Sequence, residues 1–476
     1  MHDMTGNSTE ARRSSVHLND QHKYIPPWTT PYIIGVGGTS GSGKTSVANK
    51  IVSSINVPWT VLISLDNFYK PLNEAERKRA FNNEYDFDEP NAIDLDLAYD
   101  CILSLKEGKK TSIPVYSFTH HNRDPHKQIP IYGASVIVLE GIYALYDQRL
   151  LDLMDLKVYV DADLDICLAR RLSRDIVARG RDLQGCLLQW ERYVKPDAVK
   201  YVKPTMAKAD AIIPSMSDNT VAVKLLIKHI ESKLELKSEE HMTELVKLGQ
   251  SGTGPLSDYK NLEVLPQTNQ IKAIHTILLD RNVDRDEFSF QFDRIATLLL
   301  ANTLNDIPVQ KPETIITPDG FSVPGQRRCC FDEVTAISTI RSGDCFMKAV
   351  KKAFPAMAIG KLLIQSDSLT GEPQLHCEFI PEDISKYRKI LIMDSQIISG
   401  AAMIMAVQVL LDHKVDIENI HILVYMATEL GIRRIINAFG NRIKITAGIV
   451  VERNEIKNKK ASWALTRFVD NKYFGC

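Results

Sequence analysis

The chain has 476 residues, which is too long for one ordinary hydrophobic core, so we expect two or three domains. Hydrophobic residues make up 44% and charged residues 25%, the proportions of a soluble globular protein. The 58 basic side chains nearly balance the 59 acidic ones, so no strong overall field favours nucleic acid or an anionic membrane as a partner. Eight cysteines without C-x-x-C spacing predict reduced thiols, and hence a cytoplasmic protein with the nucleus as the alternative compartment.

The first 30 residues are polar and lack the apolar stretch of a signal peptide, so residues 1–30 are predicted to form a disordered tail. No apolar run approaches the length needed to cross a bilayer. We therefore expect no membrane partner.

A phosphate-binding loop follows the tail. An apolar strand is predicted at residues 32–36, and Val47, Ala48 and Ile51 recur at helical spacing further on. Between them lie eight residues that fit G-x-x-x-x-G-K-[ST]: Gly38, Thr39, Ser40, Gly41, Ser42, Gly43, Lys44 and Thr45. Glycines let the backbone wrap around a phosphate, the lysine adds a cation, and the final hydroxyl is placed to hold magnesium. This order predicts a nucleoside triphosphate site.

Two predicted strands end in acidic residues. The strand at residues 57–65 is followed by Asp66, and the strand at residues 135–139 is followed by Glu140. Ligands of parallel sheets bind beyond the carboxyl ends of the strands, which places Asp66 beside the phosphate loop. It could accept a proton from an attacking hydroxyl or order magnesium, or it could simply cap a turn. Glu140 could hold the metal through its water shell, although any buried strand can end in an acid.

Two segments between these strands, residues 85–90 and 114–121, are rich in aromatic and polar residues and show little periodicity. They suit a lid over a small polar ring compound, or a surface loop anchored by a few aromatic rings. After a strand that ends at residues 161–163 come five arginines: Arg170, Arg171, Arg174, Arg179 and Arg181. They predict either a phosphoryl-transfer lid or a solvated charged helix face.

Together these blocks resemble uridine-cytidine kinases over about residues 30–232. The resemblance implies a P-loop kinase domain with a parallel sheet, assigned to residues 31–232. It also implies ATP and Mg2+ as cofactors, a small nucleoside as partner, and phosphorylation of the 5′-hydroxyl of uridine and cytidine to give UMP and CMP. Asp66 would be the general base, and Thr45 and Glu140 would lie on the magnesium side.

The same resemblance implies binding roles for further side chains. The pyrimidine ring would be lined by four residues, the last of which would read ring position 4: Tyr69, Phe87, Tyr116 and His121. The ribose hydroxyls would meet Asp88 and Arg181, with Gln189 as a further nucleoside contact. Lys44 would act on the transferred phosphate. Three more cations would lie in the lid: Arg171, Arg174 and Arg179.

A second domain is predicted after a linker at residues 233–261, which holds a cluster of glycine, serine and proline. A helix at residues 288–304 is followed by strands at 390–394, 420–426 and 443–451, with helices between them. Alternation of strands and helices predicts another parallel sheet, so residues 262–476 form a second α/β domain.

This second domain resembles uracil phosphoribosyltransferase. The matching positions are a pyrophosphate turn, a phosphoribosyl diphosphate loop and a uracil-binding segment, represented by Arg341, Asp394, Ser399, Gly400 and Asp470. The family expects Asp-Pro-Met-Leu-Ala-Thr-Gly-Gly at the loop. Here four residues depart from it: Ser395, Gln396, Ile398 and Ala401. A phosphate-binding arginine of the family aligns with Ser366.

Two interpretations of this domain remain open. It either makes UMP from uracil, so that the chain is bifunctional, or it is catalytically degenerate and serves regulation or assembly. We favour degeneration because the replacements fall on the phosphate loop itself. Both resembled families tend to form symmetric assemblies, so a homo-oligomer is expected.

Two rival functions also remain for the first domain. One is a P-loop nucleotide switch that phosphorylates no small molecule. The other is a related kinase that acts on pantothenate or ribulose 5-phosphate. His121 and the aromatic residues argue against a sugar phosphate, which would require more cations.

Overall fold

The structure is a computed structural model that describes residues 24–55, 57, 60–215, 220–250, 254–305, 312–326, 333–367 and 370–475. The side chains of residues 178, 179 and 326 lie outside the described part. Most of the predicted disordered tail, residues 1–23, also lies outside it. The tail was predicted to be disordered up to residue 30, and this prediction is wrong for residues 24–30, which are ordered. Tyr24 and Trp28 are buried, because their rings pack into the hydrophobic core of the second half of the chain.

The first half of the chain alternates strands and helices. Its described strands are β1 Tyr32–Gly38, β2 Thr60–Ser64, β3 Thr111–Ser117, β4 Asn122–Ile131, β5 Val136–Glu140, β6 Leu156–Asp161 and β7 Ala211–Pro214. Its described α-helices are α1 Lys44–Ser54, α2 Glu74–Phe81, α3 Leu95–Lys106, α4 Gln148–Leu151, α5 Leu164–Arg179, α6 Leu183–Gln189, α7 Lys195–Asp197 and α8 Thr220–Gln250.

Five of these strands form one parallel sheet in the order β2-β5-β1-β6-β7. One hydrophobic core packs α1 and the start of α8 against the sheet, and a second core includes α3. Because all five strands run the same way, the loops after β1, β2 and β5 emerge at one edge. The predicted P-loop α/β domain is confirmed.

The aromatic segment at residues 114–121 lies within a two-stranded antiparallel sheet, which the sequence analysis missed. Strands β3 and β4 pair from Thr111–Ile131 to Ser117–Asn122. Most of β4 is exposed to solvent, so neither strand shows the alternation of apolar and polar residues that marks a half-buried strand. The second segment, residues 85–90, is largely irregular, as predicted, and ends at a short helical turn, Pro90–Ala92.

The second half also has a central sheet. Its described strands are β8 Leu262–Val264, β9 Pro312–Ile316, β10 Ser322–Gln326, β11 Val334–Ile340, β12 Ile359–Ser366, β13 Pro373–Phe379, β14 Lys389–Ile397, β15 Ile420–Thr428 and β16 Lys444–Val451. Its described helices are α9 Asn269–Leu279, α10 Arg285–Leu304, α11 Met347–Ala353, α12 Ala401–Asp412, α13 Glu429–Phe439, α14 Arg453–Lys457 and α15 Phe468–Phe474. The sheet order is β13-β12-β11-β14-β15-β16-β8, with β13 antiparallel to its neighbour β12. The second predicted α/β domain is confirmed.

The linker predicted at residues 233–261 is largely a helix. Helix α8 spans 31 residues and continues through this region to Gln250. Val223 and Ile230 pack on the first sheet, whereas Leu245 and Leu248 pack in the core of the second half. The run of lysine and glutamate that resembled a linker consists of good helix formers, and burial of one face stabilises it. The glycine and serine at 251–253 lie outside the described residues.

Replacing Leu245 with alanine tests whether α8 packs as described. Leu245 is 1% exposed, so Leu245→Ala should lower the free energy of unfolding of the second half by about 2–5 kcal/mol. Leu236 lies on the same helix but is 50% exposed, so Leu236→Ala is the matched control and should change it little. Urea unfolding followed by circular dichroism measures both. Equal effects of the two variants would contradict the packing of the helix.

Candidate active site

The loop between β1 and α1 forms a tight backbone cradle. Gly41 and Gly43 adopt positive φ angles of 86° and 94°, which other residues rarely adopt. A Cβ atom on Gly41 would lie 2.3 Å from the carbonyl oxygen of Cys167, so a side chain there would collide with backbone. The Ser42 hydroxyl is buried and has no hydrogen-bond partner among the described residues. A cradle with an unpaired donor at a helix N-terminus fits the phosphate chain of a nucleotide.

The Glu140 carboxylate, at the end of β5, connects the first turn of α1 with the end of β2. Glu140 is 3% exposed and accepts hydrogen bonds from the hydroxyls of Thr45 (3.0 Å) and Ser64 (2.6 Å). Among the described residues it forms no ion pair, so its charge is balanced only by neutral donors. A buried carboxylate beside a hydroxyl suits Mg2+, which binds through one or two carboxylates and substrate phosphates. Within the described residues, no cluster of three His, Cys, Asp or Glu could hold a metal alone.

One cavity brings together most of the predicted site residues. Its lining includes the loop residues Ser40 and Lys44 and the acid Asp66. Together with the lid residue Arg171, it also includes every residue predicted to bind the nucleoside: Tyr69, Phe87, Asp88, Tyr116, His121, Arg181 and Gln189. Arg174 lines the same cavity. The phosphate loop and the aromatic pocket are therefore two ends of one site.

The aromatic end of the cavity is built from rings in contact. Phe87 stacks on His121 at 5.2 Å between centroids, and Tyr69 lies 5.1 Å from Tyr116. The hydroxyl of Tyr116 is buried without a partner among the described residues. Flat rings with an unpaired hydroxyl can stack on a small heterocycle and bind its polar edge. The β3–β4 hairpin supplies both Tyr116 and, at its turn, His121.

The arginines of α5 are organised by a buried acid. Asp175 is 0% exposed and lies 3.5 Å from Arg171, 2.9 Å from Arg174 and 3.8 Å from Arg181. Arg171 also donates to Ser40 of the phosphate loop at 2.8 Å and lies 3.6 Å from Asp88. The acid thus orients cations toward the boundary between loop and pocket. Of the two interpretations of these arginines, this arrangement favours the phosphoryl-transfer lid and not the solvated charged helix face.

Two other arginines behave differently. Arg170, which was grouped with the lid in the sequence analysis, instead donates to the hydroxyl and carbonyl of Ser215 and to the carbonyl of Ser42. It holds the backbone of the phosphate loop from outside the cavity. The backbone of Arg179 ends α5, but its side chain lies outside the described residues, so its predicted catalytic role stays a prediction.

Three residues of the site were missed by the sequence analysis. Ser64 holds Glu140, Asp175 holds the arginines, and Asn83 accepts a hydrogen bond from Gln189 at 3.0 Å. Ser64 could have been found because it directly precedes Leu65-Asp66 at the strand end. Asp175 lies four residues after Arg171, the spacing of an ion pair on one helix face. Nothing in the sequence near Asn83 indicates its partner 106 residues away.

Burial raises the pKa of two neighbouring acids beside the aromatic pocket, Asp86 and Asp197. Burial and a hydrogen bond to the Asp197 carboxyl raise the pKa of Asp86 to about 7. Asp86 also accepts hydrogen bonds from the backbone amides of Asp88 (2.9 Å) and Glu89 (3.1 Å). It therefore orders the segment that carries the pocket residues Phe87 and Asp88.

The end of β14 and the loop that joins it to α12 form the predicted phosphoribosyl loop, and their polar side chains make contacts within the protein. Asp394 is buried, accepts a hydrogen bond from the Ser342 hydroxyl and lies 3.5 Å from Arg467. Burial raises the pKa of Asp394, and the nearby guanidinium opposes this shift. Ser399 and Gly400 end the loop, where the Ser399 hydroxyl accepts from the backbone amide of the first α12 residue. Arg341 begins the turn before Ser342 and is exposed.

Two of the four replaced residues connect this loop to the C-terminal segment. The Ser395 hydroxyl donates to Asp470 at 3.1 Å. The Gln396 side chain donates to the carbonyl of Thr466 at 3.0 Å and accepts from the amide of Val469 at 2.9 Å. The proline and methionine expected at these positions have no side-chain donor, so they could not form the bonds to Asp470 and Thr466. Ser395 and Gln396 therefore hydrogen-bond the end of β14 to the C-terminal segment of the chain.

A parallel sheet, a phosphate cradle, a buried carboxylate and a ring-lined pocket with a strand-end acid define a P-loop phosphotransferase of small molecules. A family model for the phosphoribulokinase / uridine kinase family matches residues 33–222, and one for uracil phosphoribosyltransferase matches residues 264–461.

Similar proteins cover nearly the whole chain. A uridine kinase of Saccharomyces cerevisiae is 67% identical over 95% of this chain and 90% of its own length. A uridine kinase of Schizosaccharomyces pombe is 41% identical over 89% of this chain and 92% of its own. The uridine-cytidine kinase-like 1 protein of Mus musculus is 40% identical over 90% of this chain and 78% of its own length. The chain belongs to the uridine kinase family, which confirms the predicted resemblance in both halves. No helix in the described part of the chain is long and apolar enough to span a membrane.

The proton that Asp86 holds at its raised pKa predicts a pH-dependent stability. Because the folded chain holds this proton to a higher pH than the unfolded chain, stability should fall as pH rises from about 4 to about 7. An asparagine at position 86 keeps both amide contacts without a charge. Asp86→Asn should therefore raise the melting temperature relative to wild type at pH 8 and change it little at pH 4.

Thermal unfolding at both pH values makes the comparison. Asp319 is exposed in the turn between β9 and β10, so Asp319→Asn is the control and should have no pH-dependent effect. A gain from Asp86→Asn of equal size at pH 4 and pH 8 would show that Asp86 holds no proton at a raised pKa.

Proposed function

We propose that the first half transfers the γ-phosphoryl group of ATP to the 5′-hydroxyl of uridine and cytidine, giving UMP and CMP in pyrimidine salvage. The observation that carries the proposal is the single cavity that joins the phosphate loop, Asp66 and the aromatic pocket. A nucleoside with its ring in that pocket would extend its sugar toward the loop. The names of the relatives, uridine kinases and a uridine-cytidine kinase-like protein, support the same substrate class.

Asp66 is the proposed general base. It lies in the turn directly after β2 and lines the cavity with Lys44. A neutral sugar hydroxyl is a poor nucleophile, so a carboxylate must accept its proton as the new P–O bond forms. Lys44 and Arg174 would neutralise charge on the moving phosphoryl group, with Arg179 as a further lid cation. Asp175 supports this role because it holds Arg174 before substrate binds.

The residues that would hold Mg2+ are Thr45 and Glu140, with Ser64 fixing the carboxylate. Bound there, the ion would neutralise phosphate charge and orient the transferred group. The buried carboxylate is already oriented by two hydroxyl donors, so little rearrangement is required of the protein.

Nucleoside recognition would be divided between the two ends of the pocket. Phe87, Tyr116 and His121 would stack on the pyrimidine and bind its edge, since their rings already lie in contact or in one cavity. Asp88 and Arg181 would bind the ribose hydroxyls, and Gln189 is held between Arg181 and Asn83. A sugar phosphate has no aromatic base that could stack on these rings, which argues against a kinase of ribulose 5-phosphate.

The first experiment separates a kinase from a nucleotide switch. Asp66→Asn should lower kcat for uridine by about 100- to 10,000-fold, because the base is lost, while ATP affinity stays unchanged. Steady-state kinetics and ATP titration measure the two quantities. The control Asp96→Asn changes an aspartate whose side chain is 81% exposed and should leave both unchanged. Undiminished turnover in Asp66→Asn would exclude Asp66 as the base.

We further propose that the second half is catalytically degenerate. Its polar side chains Ser395 and Gln396 are engaged with Asp470, Thr466 and Val469 rather than open to a ligand. Arg467 reaches Asp394, the carboxylate that would have to bind ribose hydroxyls. A substrate would have to break these contacts before it could bind. The alternative, a bifunctional enzyme that also makes UMP from uracil, requires that opening.

Calorimetry tests the closed loop. Phosphoribosyl diphosphate titrated into the intact protein should give no saturable heat up to about 1 mM. ATP titrated into the same protein is the positive control and should saturate. Saturable binding of phosphoribosyl diphosphate that disappears in Asp394→Ala would show that the site still works.

We also propose that the protein self-associates and resides in the cytoplasm. The β9–β10 hairpin exposes Ile316 and Phe321, at 75% and 70%, which suits burial against another copy. Free thiols at positions 101, 167, 186, 345 and 377 are compatible with a reducing compartment.

A further inference from the structure

The last residue of α12, Asp412, connects the two halves of the chain. One oxygen of its carboxylate accepts hydrogen bonds from the indole nitrogen of Trp28 (2.8 Å) and from the hydroxyl of Tyr132 (2.7 Å). The other oxygen accepts from Gln408 on the same helix at 2.8 Å. Trp28 and Tyr132 belong to the first half, yet they are 2% and 3% exposed because they pack into the core of the second.

Helix α12 itself gives no reason for an acid at this position. A negative charge at the C-terminal end of a helix is unfavourable, because the helix dipole is negative there. The charge instead accepts hydrogen bonds from the two aromatic donors, both of which are buried. Next to it, the ring of His413 lies 5.1 Å from the ring of Tyr132, in an edge-to-face contact. We call this contact between the halves the joint. It consists of Trp28 and Tyr132 from the first half and Asp412 and His413 from the second.

Tyr132 directly follows β4, the outer strand of the hairpin that forms part of the nucleoside pocket. A two-stranded sheet is marginally stable alone, and residues 125–130 of β4 are exposed. The hairpin therefore depends on anchors at its ends. Near the turn, Arg123 donates to the carbonyls of Tyr69 (2.7 Å) and Phe68 (3.0 Å). At the base, the anchor is Tyr132 bonded to Asp412.

We propose that Asp412 is a positioning residue for nucleoside binding in the first half. It fixes the base of the β3–β4 hairpin, and so the placement of Tyr116 and His121 around the pyrimidine. The inference rests on the proposed function of the pocket. It assigns the second half a use that needs no catalysis, because its helix α12 presents the carboxylate.

The position of α12 adds a structural reason. The helix begins at Ala401, directly after the closed phosphoribosyl loop, and ends at Asp412, about 18 Å away along its axis. The start of this helix is held by two side chains, because Thr428 donates to the carbonyl of Ile398 (2.5 Å) and Arg434 donates to the carbonyl of Ser399 (3.0 Å). A rigid helix fixed at its first turn can position a carboxylate at its last turn.

Tyr132→Phe tests the proposal with the smallest change, because it removes one hydroxyl and keeps the buried ring. It should raise KM for uridine about tenfold and leave KM for ATP unchanged, since the phosphate loop lies on other elements. The matched control is Tyr425→Phe, which removes a buried hydroxyl bonded to His275 at 3.1 Å in the core of the second half. That variant carries a similar loss of stability without touching the joint, so its KM for uridine should stay at the wild-type value.

A double-mutant cycle shows whether the hydroxyl acts through Asp412. Asp412→Ala should raise KM for uridine at least as much as Tyr132→Phe, and the double variant should be no worse than Asp412→Ala alone. Equal KM changes in Tyr132→Phe and Tyr425→Phe, or additive effects in the cycle, would overturn the proposal. These outcomes are distinct from failure of the proposed function, in which the wild-type protein itself would not phosphorylate uridine.

Discussion

The site depends on one geometric constraint, that three parallel strands end at the same edge of a sheet. The phosphate loop follows β1, the turn with Asp66 follows β2, and Glu140 ends β5. Hydrogen bonds from Thr45 and Ser64 to Glu140 tie these three ends together. The phosphate cradle, the proposed base and the proposed magnesium ligand therefore lie together because parallel strands end at one edge of the sheet.

Both halves of the chain contain a strand–loop–helix connection at the end of a parallel sheet, but the polar groups of the two loops are used differently. In both halves a strand leads through a glycine at positive φ into a helix, at Gly43 before α1 and at Gly400 before α12. Among the residues that the structure describes, the buried Ser42 hydroxyl of the first loop has no partner, whereas Ser395 and Gln396 of the second loop bond to the C-terminal segment. Fold similarity alone does not distinguish these two cases; the hydrogen bonds of the loop residues do.

Features fixed by local chemistry could be predicted from the sequence. The phosphate loop, Asp66 and Glu140 follow strands whose apolar runs are visible, and resemblance to a family supplied the pocket residues. The β3–β4 hairpin was missed because an exposed ribbon has no apolar period. The long α8 was missed because its lysines and glutamates are helix formers that also suit a linker. Contacts such as Trp28 with Asp412, 384 residues apart, depend on packing between the halves, which no local pattern encodes.

The most direct test of the account is a turnover panel on the intact protein. It pairs ATP and magnesium with uridine and with cytidine, and phosphoribosyl diphosphate with uracil. One active site and one closed loop predict UMP from uridine, CMP from cytidine and no UMP from uracil. UMP formed from uracil, and lost in Asp394→Ala, would contradict the account by showing that the second half is a working transferase.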